Sequence, residues 1–174
     1  LTPIPPSTPP PDPVDFTKNA VFLPLIQSSI VQIPAGLPDL IISKIDFQQG
    51  HLQITVKNQG KGAVQEPFWI DVFVNPQIDP QHPNDTLEWL SEEGYVWGVD
   101  THHLPLLPNH TIILELFDSF YSAEYSNFSG TLTSGDRLVI HVDSAHTYTT
   151  YGGVLEQHEA DNEAYNNIFE EVLK

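Results

Sequence analysis

An all-β sandwich of two antiparallel sheets, preceded by an extended proline-rich segment, is the fold this sequence predicts, and three observations predict it. Between Leu37 and Pro76 lie three runs of strand-like alternation joined by turns that contain glycine. Short alternating runs separated by turn residues continue to the C-terminus, the spacing of a sandwich. No long stretch carries a helical period, which leaves sheet-on-sheet packing as the way to bury the apolar faces.

In chain order, residues 1–13 hold seven prolines. Proline fixes φ and withholds a backbone donor, so residues 1–19 are expected to form an extended tail. Residues 20–36 follow as an apolar strand and hinge. AVFLPLIQSSIVQI (20–33) is apolar on both alternating faces in its first half, as in a strand covered on both sides. Pro24 confines it to a sheet edge or a bulge. It either adds to the chain's own sheet or inserts into the next molecule, with Pro34, Gly36 and Pro38 as the hinge.

The sandwich itself is expected over residues 37–174. The first strand, Asp39 to Phe47, is read with Ile41, Ile45 and Phe47 on one face. The second turns Leu52, Ile54 and Val56 inward and His51, Gln53, Thr55 and Lys57 outward. Asn58, Gly60 and Gly62 read as turn residues tolerant of positive φ. The third strand sets Phe68, Ile70, Val72 and Val74 on one side and Trp69, Asp71 and Phe73 on the other, a partly aromatic face that needs a cover. Residues 75–94 form a long proline- and acid-rich excursion with a short helix near Thr86 to Glu92. Strands follow at Tyr95 to Val99, Thr111 to Asp118, Arg137 to Asp143 and Ile168 to Leu173.

Composition narrows the functions. Six Lys and Arg against 23 Asp and Glu give a formal charge of -17, which repels a phosphate backbone, so nucleic acid is not an expected partner. Without cysteine there is neither a disulfide framework nor a thiolate zinc site. Methionine is also absent and the sequence begins Leu1-Thr2-Pro3, from which a processed, exported product is expected. The longest apolar run, Ala20 to Ile26, falls short of the roughly 20 residues of a bilayer span, so no membrane span is expected.

The segments Leu52-Gln-Ile-Thr-Val-Lys-Asn-Gln-Gly60, Phe68-Trp-Ile-Asp-Val-Phe-Val-Asn-Pro76, Trp97-Gly98-Val99, Val142-Asp143-Ser144 and Gly153-Val154-Leu155-Glu156, with Asn166-Asn167, resemble in order and spacing the landmarks of the CARDB family. Those are immunoglobulin-like modules of bacterial and archaeal surface proteins, related to cell adhesion. The similarity covers residues 37–168. It implies a seven-stranded immunoglobulin-like sandwich, secretion to a prokaryotic cell surface, and a structural, adhesive or tethering role without catalysis. The stretch Glu159 to Asn166 is longer than the family's compact closing element, which leaves the register of the last strand open.

Candidate sites are few. Asp143, Glu156, Glu159 and Asp161 gather in the loop after Val142 and could offer the oxygens that calcium takes, although their spacing matches no EF-hand. Calcium is therefore the one cofactor considered, and none is required. His102-His103 lacks the HExxH pattern of a zinc site, and no GxSxG signature is present, so no enzyme is expected. Trp69, Trp89, Trp97, Tyr95, Tyr121, Tyr125 and Tyr151 could form a platform for sugar rings or fill the core. Sequons at Asn84, Asn109 and Asn127 are candidate glycosylation sites.

Two functions are expected from these features. The first is an extracellular filament subunit that self-associates into a homopolymer. In it the segment 20–33, through Val21, Phe22, Leu23, Leu25, Ile26 and Ile30, adds to a neighbouring molecule's sheet. The second is a carbohydrate- or surface-binding accessory module of a larger secreted protein, with glycans or other surface proteins as partners.

Overall fold

The computed structural model describes residues 36–146, 148–158 and 165–174. The proline-rich tail and the segment 20–33 lie outside the described residues. Among the described residues seven strands and one short α-helix follow in the order β1 (Leu40–Gln48), β2 (His51–Asn58), β3 (Phe68–Val74), α1 (Leu87–Leu90), β4 (Gly94–Val99), β5 (Thr111–Glu115), β6 (Arg137–Val142) and β7 (Ile168–Val172), with a single 3-10 turn at Thr101–His103. They form a three-stranded sheet, β1-β2-β5, and a four-stranded sheet, β4-β3-β6-β7. Every pairing is antiparallel. The fold is the antiparallel two-sheet sandwich expected from the strand pattern, with the seven strands and immunoglobulin-like form that the family resemblance implied.

Alternation dictates the core, because residues two apart in a strand face the same layer. Leu52, Ile54 and Val56 of β2 meet Phe68, Ile70 and Val72 of β3 and Leu138 and Ile140 of β6 in one buried cluster. Trp97 lies fully inside it, and its indole N–H donates to the Glu115 carbonyl at 3.0 Å. Burying side chains of this size stabilises by about 1.5–3 kcal/mol each relative to exposure.

Three expectations are corrected. In β1, Leu40 and Ile42 are the buried positions and Ile41 is only half-buried. A register shift between Ile42 and Lys44 marks a bulge that inverts the parity, so Ile45 and Phe47 pack against the core from odd positions. Gly60 and Gly62 do not adopt positive φ. They are needed because the chain passes close by: a Cβ on Gly62 would stand 2.1 Å from the Gly36 carbonyl oxygen. Finally, β5 ends at Glu115 rather than Asp118. The Asp118 carboxylate accepts the amides of Glu115, Phe120 and Tyr121 at 2.7, 2.8 and 3.0 Å and turns the chain there.

Asn58, at the end of β2, is completely buried. Its Oδ1 accepts the amides of Asp39 and Gly60 at 3.1 and 3.0 Å, and its Nδ2 donates to the carbonyls of Gly62 and Leu106 at 2.8 and 3.0 Å. Removing the amide leaves these backbone groups buried and unpaired. Asn58→Ala should therefore lower the unfolding free energy by about 3 kcal/mol or more in urea titration, whereas a loss below about 1 kcal/mol would mean that water replaces the amide without penalty.

Candidate functional site: an aromatic groove and a sheet edge

The outer face of the four-stranded sheet is covered. Phe73 of β3 packs with Val96 of β4, Val139 of β6 and Leu87 of α1 in a second, smaller core, flanked by Leu90 and Ile168. The cover is the excursion of residues 75–93. Its helix starts at Thr86, whose hydroxyl accepts the Trp89 amide at 3.2 Å, and stops at Ser91 in the left-handed region. Arg137 of β6 pins the excursion by donating both Nη groups to Asp79 at 2.8 and 2.6 Å, and its Nε donates to Glu170 of β7 at 2.7 Å. These bonds hold the Asp79 and Glu170 carboxyls below their usual range and keep the guanidinium charged.

Beside this cover lies a groove of about 710 Å3. Trp69, Asp71 and Val96 form its sheet side, Asn84, Thr86, Glu88 and Trp89 come from the excursion, and Tyr125 and His146 complete it. Trp69 lies against Gly98, its cross-strand partner, where a Cβ would come within 2.8 Å of the indole. Its ring meets Tyr125 edge-on, with centroids 5.4 Å apart and planes at 83°. Trp69, Tyr125 and Trp89 remain 37%, 52% and 76% exposed.

Asp71, which lines the same groove, is buried, and among the described residues its Oδ2 has no hydrogen-bond partner. Burial pushes the carboxyl up to about 7, and the Leu87 amide and Ser144 hydroxyl only partly oppose the shift. Its cross-strand partner in β6 is His141, also buried. Burial pushes that imidazole down to about 4, against the raising effect of Asp85. Nε2 of His141 is hydrogen-bonded to the Tyr165 hydroxyl at 2.7 Å.

The sheet edges are unequal. Along β4, the outward groups of Gly94, Val96 and Gly98 are taken by residues 120–128: Gly98 donates to Phe120, Ser122 donates to Val96, and the Gly94 carbonyl accepts from Asn127 and Phe128. Edge strand β1 carries its bulge, and in β5 the Glu115 amide and carbonyl are occupied by Asp118 and Trp97. In β7, Val142 donates to Asn167 and Leu173 to Asp136, so alternation turns the backbone groups of Ile168, Glu170 and Val172 away from β6. Among the described residues no strand pairs with that edge.

The expected sites fare as follows. Asp143 is buried, and its carboxylate accepts the amides of Gly153 and Val154 at 2.7 and 2.9 Å. Glu156, also buried, accepts the Leu40 amide and the Asn167 side chain. Glu159 and Asp161 lie outside the described residues, as do Val21, Phe22, Leu23, Leu25, Ile26 and Ile30. Among the described residues no group of three or more His, Cys, Asp or Glu is arranged to hold a metal ion. Asn84 donates to the Thr149 carbonyl and accepts the His146 amide. Asn127 accepts the Gly94 amide and donates to Glu92, and Asn109 is exposed before β5.

Of the seven aromatic residues, Trp97 and Tyr95 belong to the core, and only Trp69, Trp89 and Tyr125 line the groove. Asp71 was missed as a site residue. Its signal was a lone acid inside FWIDVFV, on the face already expected to be covered.

These features define an all-β sandwich with a covered outer face, and no helix among the described residues is long and apolar enough to cross a membrane. Neither a family model nor a curated protein matches the chain. Among solved structures it is similar to a CARDB domain from Pyrococcus furiosus, solved in complex with di-metal ions, at 21% identity and a TM-score of 0.38. The match covers 79% of this chain and 94% of that one.

The carboxyl of Asp71 titrates from an ordinary value of 3.8 when exposed and from about 7 when folded. Its contribution to stability is thus fully present below 3.8 and is lost as pH rises through about 7. His141, with its folded value lowered from 6.5 to about 4, costs stability as pH falls through that interval. Comparison with Asp71→Asn isolates the first effect. The variant should gain on the native protein by a few kcal/mol, on the order of 2–4, as pH goes from about 4 to about 8. Thermal unfolding of the two across that range is the check, and parallel curves would mean that the acid is not held neutral by burial.

Proposed function

We propose that this chain is a non-enzymatic structural and adhesive module of a prokaryotic cell surface, joined to copies of itself by strand addition. Residues 20–33 of one molecule pair with the outward groups of Ile168, Glu170 and Val172 in β7 of the next. The backbone ladder supplies affinity, and Val21, Leu23, Leu25 and Ile30 supply apolar contact. One observation carries the reading: β4 is sealed by residues 120–128, whereas β7 keeps a row of outward donors and acceptors among the described residues. A contact of this kind is head-to-tail and grows into fibres unless its rotation closes a ring. Glycans on exposed Asn109 would suit the same surface setting.

Deleting residues 1–36 should leave a folded monomer by light scattering and circular dichroism. Glu170→Pro removes one outward donor of β7 and leaves the β6 ladder intact, and it should also abolish polymer in the full chain. Filaments that persist in either folded variant would reject strand addition at this edge.

A further inference from the structure

We infer that the groove above β3 and β4 is a binding site for an organic cation, an alkylammonium group seated among Trp69, Trp89 and Tyr125 over the buried carboxyl of Asp71. The inference is independent of strand addition, since the groove and the β7 edge lie at different parts of the sheet.

The shape is the first argument. At about 710 Å3 the groove is of the size that small ligands occupy. Its walls do not form a platform: Trp69 and Tyr125 stand at 83° to each other. Stacked sugar rings favour aromatic faces set in one plane. A compact cation instead accepts aromatic surface from several directions, because each ring offers it a negative face.

Charge is the second argument. Among the described residues the Asp71 carboxyl has an unpartnered oxygen, exposed Glu88 lines the groove, and no Lys or Arg does. Apart from His146 on the groove wall, the described groups facing Asp71 supply no countercharge. Val96 on β4 is apolar, His141 on β6 is kept neutral, Leu87 and Ser144 offer an amide and a hydroxyl, and Asp85 adds negative charge near His141. The chain as a whole carries -17. A buried carboxylate attracts a cation through low-dielectric surroundings without touching it, whereas a sugar hydroxyl would need contact with an oxygen that the fold hides.

The remaining polar groups give the third argument. Asn84 already spends its side chain on His146 and Thr149, and the Thr86 hydroxyl accepts the Trp89 amide. These two side chains are thereby less free to read the hydroxyl pattern of a sugar. An alkylammonium needs no such reading, only rings and negative charge.

The test titrates the full chain with choline, with a short neutral peptide carrying one lysine, and with cellobiose, at constant ionic strength. The readouts are tryptophan fluorescence and the indole N–H resonances, with core Trp97 as internal reference. Saturable binding of choline or of the lysine peptide at a pH of about 8 supports the site. The tighter of the two identifies the source as a free quaternary ammonium or a partner's side chain.

Affinity should fall about tenfold in Asp71→Asn and in Trp89→Ala. It should also fall about tenfold in the native protein between pH of about 8 and about 5.5, as Asp71 takes up its proton, and fall clearly less in Asp71→Asn, where Glu88 and His146 still line the groove. Circular dichroism confirms that each variant is folded. Binding of cellobiose with no response to either cation would overturn the inference, as would cation affinity unchanged in folded Asp71→Asn.

Discussion

The saturated side-chain amide of Asn58 holds the corner from which both sheets are laid out. Asparagine offers two donors and two acceptor lone pairs, and here the four strands of bonding go to Asp39, Gly60, Gly62 and Leu106. The entry to β1, the turn after β2 and the strap at Leu106 thus share one anchor. Leu106 in turn exchanges backbone bonds with Val64. A second ring of polar contacts closes the same corner. Glu156 accepts the Leu40 amide, and Asp39 accepts from Asn166 and pairs with His158 at 2.8 Å. Of the carboxylates grouped as a candidate ion site, Asp143 and Glu156 accept backbone amides here, which satisfies donors in a buried turn.

Much of the fold was legible because period-two alternation survives in β2, β3 and β6, each of which has a neighbour on both sides. Where it failed, a local device intervened. The bulge in β1 reverses which residues face inward, and nothing in LIISKIDFQ announces an extra residue. The glycines after β2 were recognisable as special, but not for the right reason: close approach of residues 36–39, a long-range contact, sets the requirement rather than local φ. Likewise, aromatic content could not separate core from groove. Trp97 and Trp69 lie on two faces of the same sheet, and the paths of residues 75–93 and 120–128 decide what remains uncovered.

The candidate site was less legible than the fold because it depends on burial, which a single sequence carries only indirectly. Asp71 and His141 face each other across β3 and β6 on the covered side. Burial drives both toward their neutral forms, the acid up and the imidazole down. An isolated pair of this kind gives a sandwich no obvious gain in stability, since apolar residues of similar volume would pack there without the desolvation cost. A buried, incompletely bonded acid therefore points toward use at the surface just above it.

The groove follows from how the outer face is covered. The excursion of residues 75–93 lays Leu87 and Leu90 over Phe73, Val96 and Val139, while residues 120–128 approach from the β4 edge to satisfy its backbone. Each cover has its own requirement: the first buries apolar side chains, and the second pairs amides and carbonyls. Neither requirement reaches the strip between them, and there Trp69, Tyr125 and Trp89 stand partly exposed around Asp71. Shortening either cover would expose the small core or the strand edge, so the site can vary only through the side chains that line it. The described residues thereby keep two features apart on one sheet: outward backbone groups along β7, and partly exposed rings around a buried acid at β3.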